Sequence, residues 1–501
     1  MSEKFHSLIF AVNKMVDYRV PGAYRIASII RSEGWDCEVV DFVSSFTPEE
    51  LKELAKSRIT SKTKMIGFSC FFNAWLPHLD ELCKWIKTTH PTIKIVIGGQ
   101  EISNTKADKQ YIDWWVDGFG DVAIVALIKH IASNGPVVKY DLDEYMRSNR
   151  RVVKAITMYP AFPMQDLSIV YEDRDFIKPY EFLGVEVSRG CKFKCDFCNF
   201  PILGVKGDYS RNAENFREEV QTIYDKWGVS HFYSLDETFN DSTEKIIKFA
   251  DAVEQLNFKP WFGGFVRGDL LAARKQDWEH LARMQFFGQY YGIESLNYES
   301  AKSIGKGMKT DKLLAGLLEA KEFFKSKGDY RGTISLIAGL QHETLDTMEQ
   351  GVQWLEDNWL DQNAIMFPLN IAVNPEINKP LLSRDWHNRG YTITERTLGE
   401  FPDLANYIEW FTGTGDTTPL LWKTEHMDIF DATRFASNFE YNRLTKFRQN
   451  MWSLGQMYRD YRKPLSELLE MNYSHDYSEE AIKNRDSFVR EYIESKLNFR
   501  P

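Results

Sequence analysis

Three cysteines fall within eight residues, in a segment that reads Gly190-Cys191-Lys192-Phe193-Lys194-Cys195-Asp196-Phe197-Cys198-Asn199. Thiolates are soft ligands suited to zinc or to iron–sulfur clusters. A structural zinc site is usually closed by four ligands, commonly with a paired CxxC spacing. No second pair follows here, and the next histidine is His231. Three thiolates on a four-iron cluster leave one iron open, which is the logic of a catalytic rather than a structural metal site. Lys192 and Lys194 can offset part of the cluster's negative charge. The remaining cysteines, Cys37, Cys70 and Cys83, are scattered through the first hundred residues. They read as small core residues, and six cysteines in a chain of 501 residues make no disulfide framework.

Charged residues follow the trio at the ends of successive predicted strands: Asp236 and Glu237, then Arg267, then Glu294. Side chains at the carboxyl ends of parallel strands face the usual ligand site of such folds. Each has a plainer reading. Asp236 or Asp241 can cap the next helix, Arg267 can pair with Asp269, and Glu294 can neutralise a neighbouring Lys or Arg.

The elements that must hold these groups form two alternating series. In the first 135 residues, apolar strands at Leu8–Val12, Glu38–Phe42, Met65–Ser69, Ile93–Ile97 and Trp115–Val116 alternate with helical patterns at Ala23–Ser32, Pro48–Lys56, Leu79–Thr88 and Val122–Ala132. This predicts a doubly wound parallel sheet with ligands beyond its carboxyl edge. Residues 136–178 read as a connector. From 179 to 380, six strands at Leu183–Val187, His231–Leu235, Trp261–Val266, Phe287–Tyr291, Thr333–Ala338 and Ala364–Pro368 predict a partial (β/α)6 barrel. Residues 381–501 read as a mostly helical region, with helices near Phe435–Leu454 and Glu479–Leu497, packed over the barrel.

Composition narrows the class. The chain is 43% hydrophobic and 27% charged with a formal charge of −10, a globular profile without a long basic run. A large nucleic-acid interface is not expected. No stretch is apolar enough to span a bilayer, and Met1–Ile9 lacks a signal-peptide pattern, so a cytoplasmic location is expected.

CxxxCxxC with an aromatic residue before the third Cys resembles the signature of the radical S-adenosylmethionine superfamily, and the likeness extends from the trio to Pro368. It implies a 4Fe-4S cluster on Cys191, Cys195 and Cys198. The open iron would chelate S-adenosylmethionine and its cleavage would give a 5′-deoxyadenosyl radical. Phe197 is expected near the adenine, and Asp236 and Glu237 near the methionine ammonium. Arg267 resembles a ligand-facing Arg of the family. Tyr291-Gly292-Ile293-Glu294-Ser295 resembles a Gly-Ile-Glu-Ser motif, which implies roles for Gly292 and Glu294. Gly339-Leu340-Gln341-His342-Glu343-Thr344 resembles a Gly-Leu-Pro-Gly-Glu-Thr turn, with Gln and His replacing Pro and Gly.

The first domain resembles the cobalamin-binding domain that precedes the barrel in one branch of that superfamily. The likeness rests on Gly22–Asp41, Ile66-Gly67-Phe68-Ser69, Ile97-Gly98-Gly99 and Asp117-Gly118-Phe119-Gly120-Asp121. Ser69, Gly98, Gly99, Gly118 and Gly120 are therefore expected to line a cobalamin site, with Cys70 nearby. Glycines at strand ends let a bulky cofactor approach the backbone. The Asp-x-His-x-x-Gly motif that supplies a cobalt-ligating His elsewhere is missing from Asn13–Pro21.

The expected function is cobalamin-dependent radical methylation, or a related rearrangement or cyclisation, of a small molecule or peptide. An electron donor such as a flavodoxin or ferredoxin is the expected partner. Two alternatives are a cobalamin-independent radical enzyme with a degenerate first domain and a noncatalytic iron–sulfur or cobalamin sensor. A sensor needs no row of charged strand ends, which argues against it.

Overall fold

The computed structural model describes residues 6–13, 19–70, 75–99, 102, 107–108, 110–133, 143–147, 150–154, 168–198, 210–373, 381–404, 418–447 and 479–500. The segments following the first, third and fourth strands, and the predicted helix beyond residue 447, lie partly or wholly outside these residues.

The first sheet contains β1 (His6–Val12), β2 (Asp36–Val40), β3 (Thr63–Cys70), β4 (Lys94–Gly99), β5 (Trp114–Asp117), β6 (Asp143–Arg147) and β7 (Arg150–Lys154), in the order β2-β1-β3-β4-β5-β7-β6. All pairs are parallel except β6 with β7. Helices α1 (Pro21–Ser32), α2 (Pro48–Arg58), α3 (Pro77–Thr89) and α4 (Asp121–Ser133) link the first strands. A Pro at the first turn starts each of the first three, and Thr47 and Glu50 close a capping box on α2. The sheet is buried on both sides, as its apolar runs require. Leu8, Phe10 and Val12 enter one core with Trp115, while Ile9 and Ala11 enter the other with Trp114.

Part of the expected connector is thus sheet. The hairpin at 143–154 extends the sheet beyond β5. Its sequence is too charged to show an apolar run, and its outer strand sits on the sheet edge.

The second sheet runs in chain order: β8 (Phe182–Val185), β9 (His231–Ser234), β10 (Trp261–Val266), β11 (Phe286–Glu294), β12 (Arg331–Ala338) and β13 (Asn363–Pro368), all parallel. This is the expected six-stranded partial barrel. Helices α5 (Ala213–Trp227), α6 (Thr243–Val253), α7 (Gly268–Ala273), α8 (Asp277–Arg283), α9 (Tyr298–Ser303), α10 (Thr310–Lys327) and α11 (Leu345–Asn358) occupy the connections. Phe232 and Phe262 stack on the outer face, where Phe216 of α5 packs on Phe262 and on Phe249 of α6. On the opposite face Tyr233, Phe265 and Tyr290 are half-exposed and in ring contact. In register beside Tyr290 stands Thr333 of β12, followed on the same strand by Ser335 and Ile337, which pair with Ile365 and Phe367 of β13.

The two sheets share a core. The cluster that holds Ile9, Ala11 and α1 continues into Leu183, Val185 and Phe232 of the barrel. Pro21 packs against β8 so closely that a Cβ at Gly184 would lie 2.6 Å from its ring.

The C-terminal region divides. Trp422 is buried over the barrel and donates its indole N–H to the Leu369 carbonyl at 2.9 Å. The last helix, Glu479–Asn498, instead places Phe488, Val489, Tyr492 and Ile493 in the first domain's own core. Lys496 is buried with Glu38 and Arg58 there, at 3.1 and 2.8 Å from the shared carboxylate. Among the described residues, 381–404 and 418–447 pack on the barrel while the last helix packs on the first domain, contrary to the expectation for 381–501 as a whole. The pattern of a helix names its apolar face but not the element that covers it.

Candidate functional site

The cysteine loop follows β8 and is tied down at several points. None of the six cysteines is in a disulfide. Cys191, Cys195 and Cys198 are half-buried, whereas Cys37, Cys70 and Cys83 are buried in cores. Gly190 takes a φ of 101°, and its N–H donates to the Glu237 carboxylate at 2.9 Å. The Cys198 N–H donates to the Cys195 carbonyl at 3.1 Å, folding the second half of the loop into a turn. The Asp196 N–H meets the Ile304 carbonyl, and Leu382 and Arg389 of the C-terminal region bind Asp196 in turn.

Burial pushes the Cys195 thiol above its ordinary value, and the Lys306 and Arg267 cations oppose that rise. Cys191 lies close enough to Cys195 to raise it further. Among the described residues, no three His, Cys, Asp or Glu side chains converge on a point one metal ion could occupy. A cluster spreads its thiolate ligands over different irons. Three thiols on a single pinned loop, with cations beside them, fit that group.

Asp236 lies beneath the loop. It is fully buried, accepts from Ser188 Oγ and Ser234 Oγ, and receives the Val187 N–H at 3.3 Å. Its oxygens thus hold the base of the loop, a role beside the ligand-facing one expected from the sequence. Glu237 is half-exposed, and burial pushes its carboxyl up to about 7. Thr238 Oγ1 stands 3.4 Å from Cys191 Sγ. Asp241 ion-pairs with Lys245 at 2.6 Å, while Ser242 caps α6.

Arg267 does pair with Asp269, at 2.9 Å through Nε. The same guanidinium also lies 3.5 Å from Cys195 Sγ and 4.0 Å over the Phe193 ring. Asn240 clamps its backbone through hydrogen bonds of 2.8 and 3.1 Å. The plain pairing and the approach to the cysteine loop coexist.

Glu294 ends β11 at φ 69°, next to a bulge between Gly292 and Glu294. A bulge at a barrel rim re-aims a side chain. Glu294 pairs with Lys306 at 2.8 Å, and Lys306 also donates to the Gly292 carbonyl. The next residue, Ser295, donates to Glu343 at 2.6 Å, and Glu343 accepts the Gly339 N–H at 3.1 Å. His342 stands where the resembled turn has Gly and adopts a φ of 69°. The turn therefore closes with a residue type among those that tolerate this region. Phe197 is half-exposed against the barrel core.

On the first sheet, Ser69, Gly98, Gly99, Gly118 and Gly120 stand half-exposed along one carboxyl edge. A Cβ at Gly98 would make only ordinary contact with Val116, at 3.8 Å. Gly99 has φ 150°, and a Cβ there would collide with the Cys70 carbonyl oxygen. Gly118 has φ 105°. Cys70 is buried, which pushes its thiol up and keeps it protonated. The small, open edge suits the tail of a large cofactor. The segment 14–18, which would carry a cobalt-ligating His in other proteins, lies outside the described residues.

This edge meets the cysteine loop. Arg189, two residues before Cys191, donates to Asp121 at 2.9 and 3.2 Å. Its guanidinium also covers Phe119 at 4.3 Å and binds Glu186. Arg25 of α1 donates to Asp121 Oδ1 at 2.8 Å, the oxygen that also takes one of the Arg189 bonds. Burial pushes the Asp121 carboxyl up, but the two guanidiniums outweigh it and hold the group at about 2. Sequence reasoning missed this set. The available signal was an Arg immediately before the Gly-Cys pair and an Asp immediately after the last glycine of the edge.

Comparison with known proteins matches both halves. Residues 185–355 match the Radical SAM superfamily and residues 13–128 the B12 binding domain. An uncharacterized methyltransferase of Pyrococcus horikoshii is 22% identical over 411 residues, which cover 77% of this chain and 85% of that protein. The hopanoid C-3 methylase of Methylococcus capsulatus is 20% identical over 484 residues, with 89% and 86% covered. In fold, the chain resembles the radical S-adenosylmethionine methyltransferase TsrM of Kitasatospora setae, solved with cobalamin and a [4Fe-4S] cluster, at TM-score 0.65 and 12% identity, covering 97% and 99% of the two chains. It also resembles the cobalamin-dependent S-adenosylmethionine radical enzyme OxsB, solved with aqua-cobalamin, at TM-score 0.59 and 15% identity, covering 99% and 72%.

Proposed function

Because the chain belongs to the branch of the radical S-adenosylmethionine superfamily with an N-terminal cobalamin-binding domain, we propose that it is a cobalamin-dependent radical C-methyltransferase acting on a small molecule or peptide. The observation that carries this reading is the meeting of two strand-end sites: the glycine edge of the first sheet abuts the cysteine loop through Asp121 and Arg189. Methyl transfer to a carbon radical needs both cofactors within reach of one substrate.

In this reading Cys191, Cys195 and Cys198 hold the 4Fe-4S cluster, and Phe197, Glu237 and Gly292 border the S-adenosylmethionine. Ser69, Gly98, Gly99, Gly118 and Gly120 border the cobalamin, with Cys70 buried behind them. When bound, the cluster and S-adenosylmethionine supply a 5′-deoxyadenosyl radical, and cobalamin supplies a transferable methyl group. The chain's own contribution is placement. Asp236 and Glu237 pin the cysteine loop, Arg267 sets a positive charge beside it, and the Glu294–Lys306 pair bounds the site on the next strand. Tyr233, Phe265 and Tyr290 give the barrel face an aromatic wall.

A one-electron donor of the flavodoxin or ferredoxin kind would serve the cluster, in the reducing cytoplasm, where thiols persist. No helix of the described residues is long and apolar enough to cross a membrane. The test is anaerobic reconstitution with iron and sulfide, then titration with hydroxocobalamin, desalting and absorbance. Stoichiometric retention is expected. Iron-loaded protein that retains little cobalamin would remove the methyltransferase reading.

A further inference from the structure

We infer that Asp121 is a positioning residue that sets the registry between the glycine edge and the cysteine loop, and with it the separation of the two metal groups these would hold. The inference rests on the cobalamin-dependent reading above. Asp121 opens α4 directly after Gly118-Phe119-Gly120. Its buried carboxylate takes Arg189 through two hydrogen bonds and Arg25 through one. Arg189 stands two residues from Cys191, so one ionic contact joins the residue after the last edge glycine to the approach to the first cysteine.

Arg25 and Arg189 face Asp121 and Glu186, two cations against two carboxylates. Arg25 also donates to the Ser168 carbonyl at 3.2 Å, and Arg189 lies over Phe119 of the edge itself. A buried ion pair is weak evidence for stability, whereas the two-pronged seat of the Arg189 guanidinium on the Asp121 carboxylate specifies a geometry. Apolar packing would join the two domains as well: Pro21 against Gly184 already does so. It would not fix the loop's position along the interface, because dispersion contacts are non-directional while a two-pronged guanidinium–carboxylate pair is directional.

The test uses the full chain carrying Asp121→Asn, with Asp121→Glu beside it and Arg189→Lys in case the first variant fails to fold. Each is loaded anaerobically with cluster and with cobalamin held in its cobalt(II) state. The readouts are iron and cobalamin per chain, and the magnetic coupling between reduced cluster and cobalt, read as relaxation enhancement of the cobalt signal. That enhancement falls steeply with distance. The expected result is near-normal loading with a severalfold change in relaxation enhancement in Asp121→Asn and Arg189→Lys, and a smaller change in Asp121→Glu. Unchanged enhancement in loaded Asp121→Asn or Arg189→Lys overturns the inference and leaves the methyltransferase reading intact. Loss of loading in proportion to lost stability, with the loaded fraction unchanged, overturns it too. Wild-type protein that retains no cobalamin defeats both.

Discussion

Lys306 and Glu294 meet 2.8 Å apart in space that exists because Gly292 has no side chain. A Cβ at Gly292 would lie 2.7 Å from Glu294 Oε1 and 3.3 Å from Lys306 Nζ. Both atoms end flexible side chains, so a methyl group there would move the pair and spare the strand. Gly292→Ala is therefore expected to leave iron loading intact and to slow S-adenosylmethionine cleavage about tenfold, a change of about 1.4 kcal/mol. Glu294→Gln should do the same by removing the charge. Wild-type cleavage rates in both would reduce the pair to a surface of the barrel.

Replacing Cys191, Cys195 and Cys198 together by Ala should abolish the cluster's absorbance and all S-adenosylmethionine cleavage. Arg267→Met should keep most of the absorbance and lose turnover, since Asn240 holds that stretch through the backbone. A full iron–sulfur spectrum in the triple variant would refute the ligand assignment.

The glycine edge separates two kinds of substitution. Gly98→Leu adds bulk where the chain itself has room, so the protein should fold, load iron and retain far less cobalamin. Gly99→Ala forces a Cβ into the Cys70 carbonyl at a φ that L-residues rarely adopt, at a cost of at least about 1–3 kcal/mol. It should lower stability whether or not cobalamin is present. Equal cobalamin retention by wild type and Gly98→Leu would move the cofactor off this edge.

Asp121 makes the domain interface acid-sensitive in a narrow window. Its carboxyl sits at about 2 in the folded chain, below its ordinary 3.8. A depressed carboxyl contributes stability above the unfolded value and loses it as pH falls toward the folded one. The contribution is about 2 kcal/mol. It should persist at neutral pH and fade between pH 4 and about 2. Asp121→Asn should flatten that part of the stability–pH curve. An unchanged curve in denaturant titrations would show that the pair adds nothing.

Lys496 is buried against Glu38, which Arg58 also binds. Lys496→Met leaves the carboxylate with one cation and should destabilise the first domain by about 3 kcal/mol. A lowered denaturation midpoint, with cluster spectra unaltered, is the expected outcome. A midpoint equal to that of wild type would mean that the apolar contacts of Phe488 and Tyr492 hold the helix alone.

Much of this architecture was legible in the sequence because local patterns carried it. The strand Trp261–Val266 was read to the residue, since its aromatic and β-branched ends suit a buried strand. The other five barrel strands differ from their predicted ends by a few residues. Residue types also placed the cysteine trio at a strand mouth. Contacts between distant segments were not legible. Asp236 looks like a ligand in sequence, and nothing local shows that Ser188 and Val187, from another strand's exit, also bind its oxygens. Arg189 and Asp121 are 68 residues apart, and no spacing rule joins them. The hairpin at 143–154 was missed because a charged edge pair carries no apolar signature.

The last helix has a consequence for synthesis. The first sheet's core includes Phe488, Val489, Tyr492 and Ile493, which leave the ribosome only after the whole barrel. The amino-terminal half must therefore wait, with one apolar face uncovered, until that helix has been made. Stop codons that spare every cofactor-facing residue will still leave a chain whose oldest part cannot finish folding.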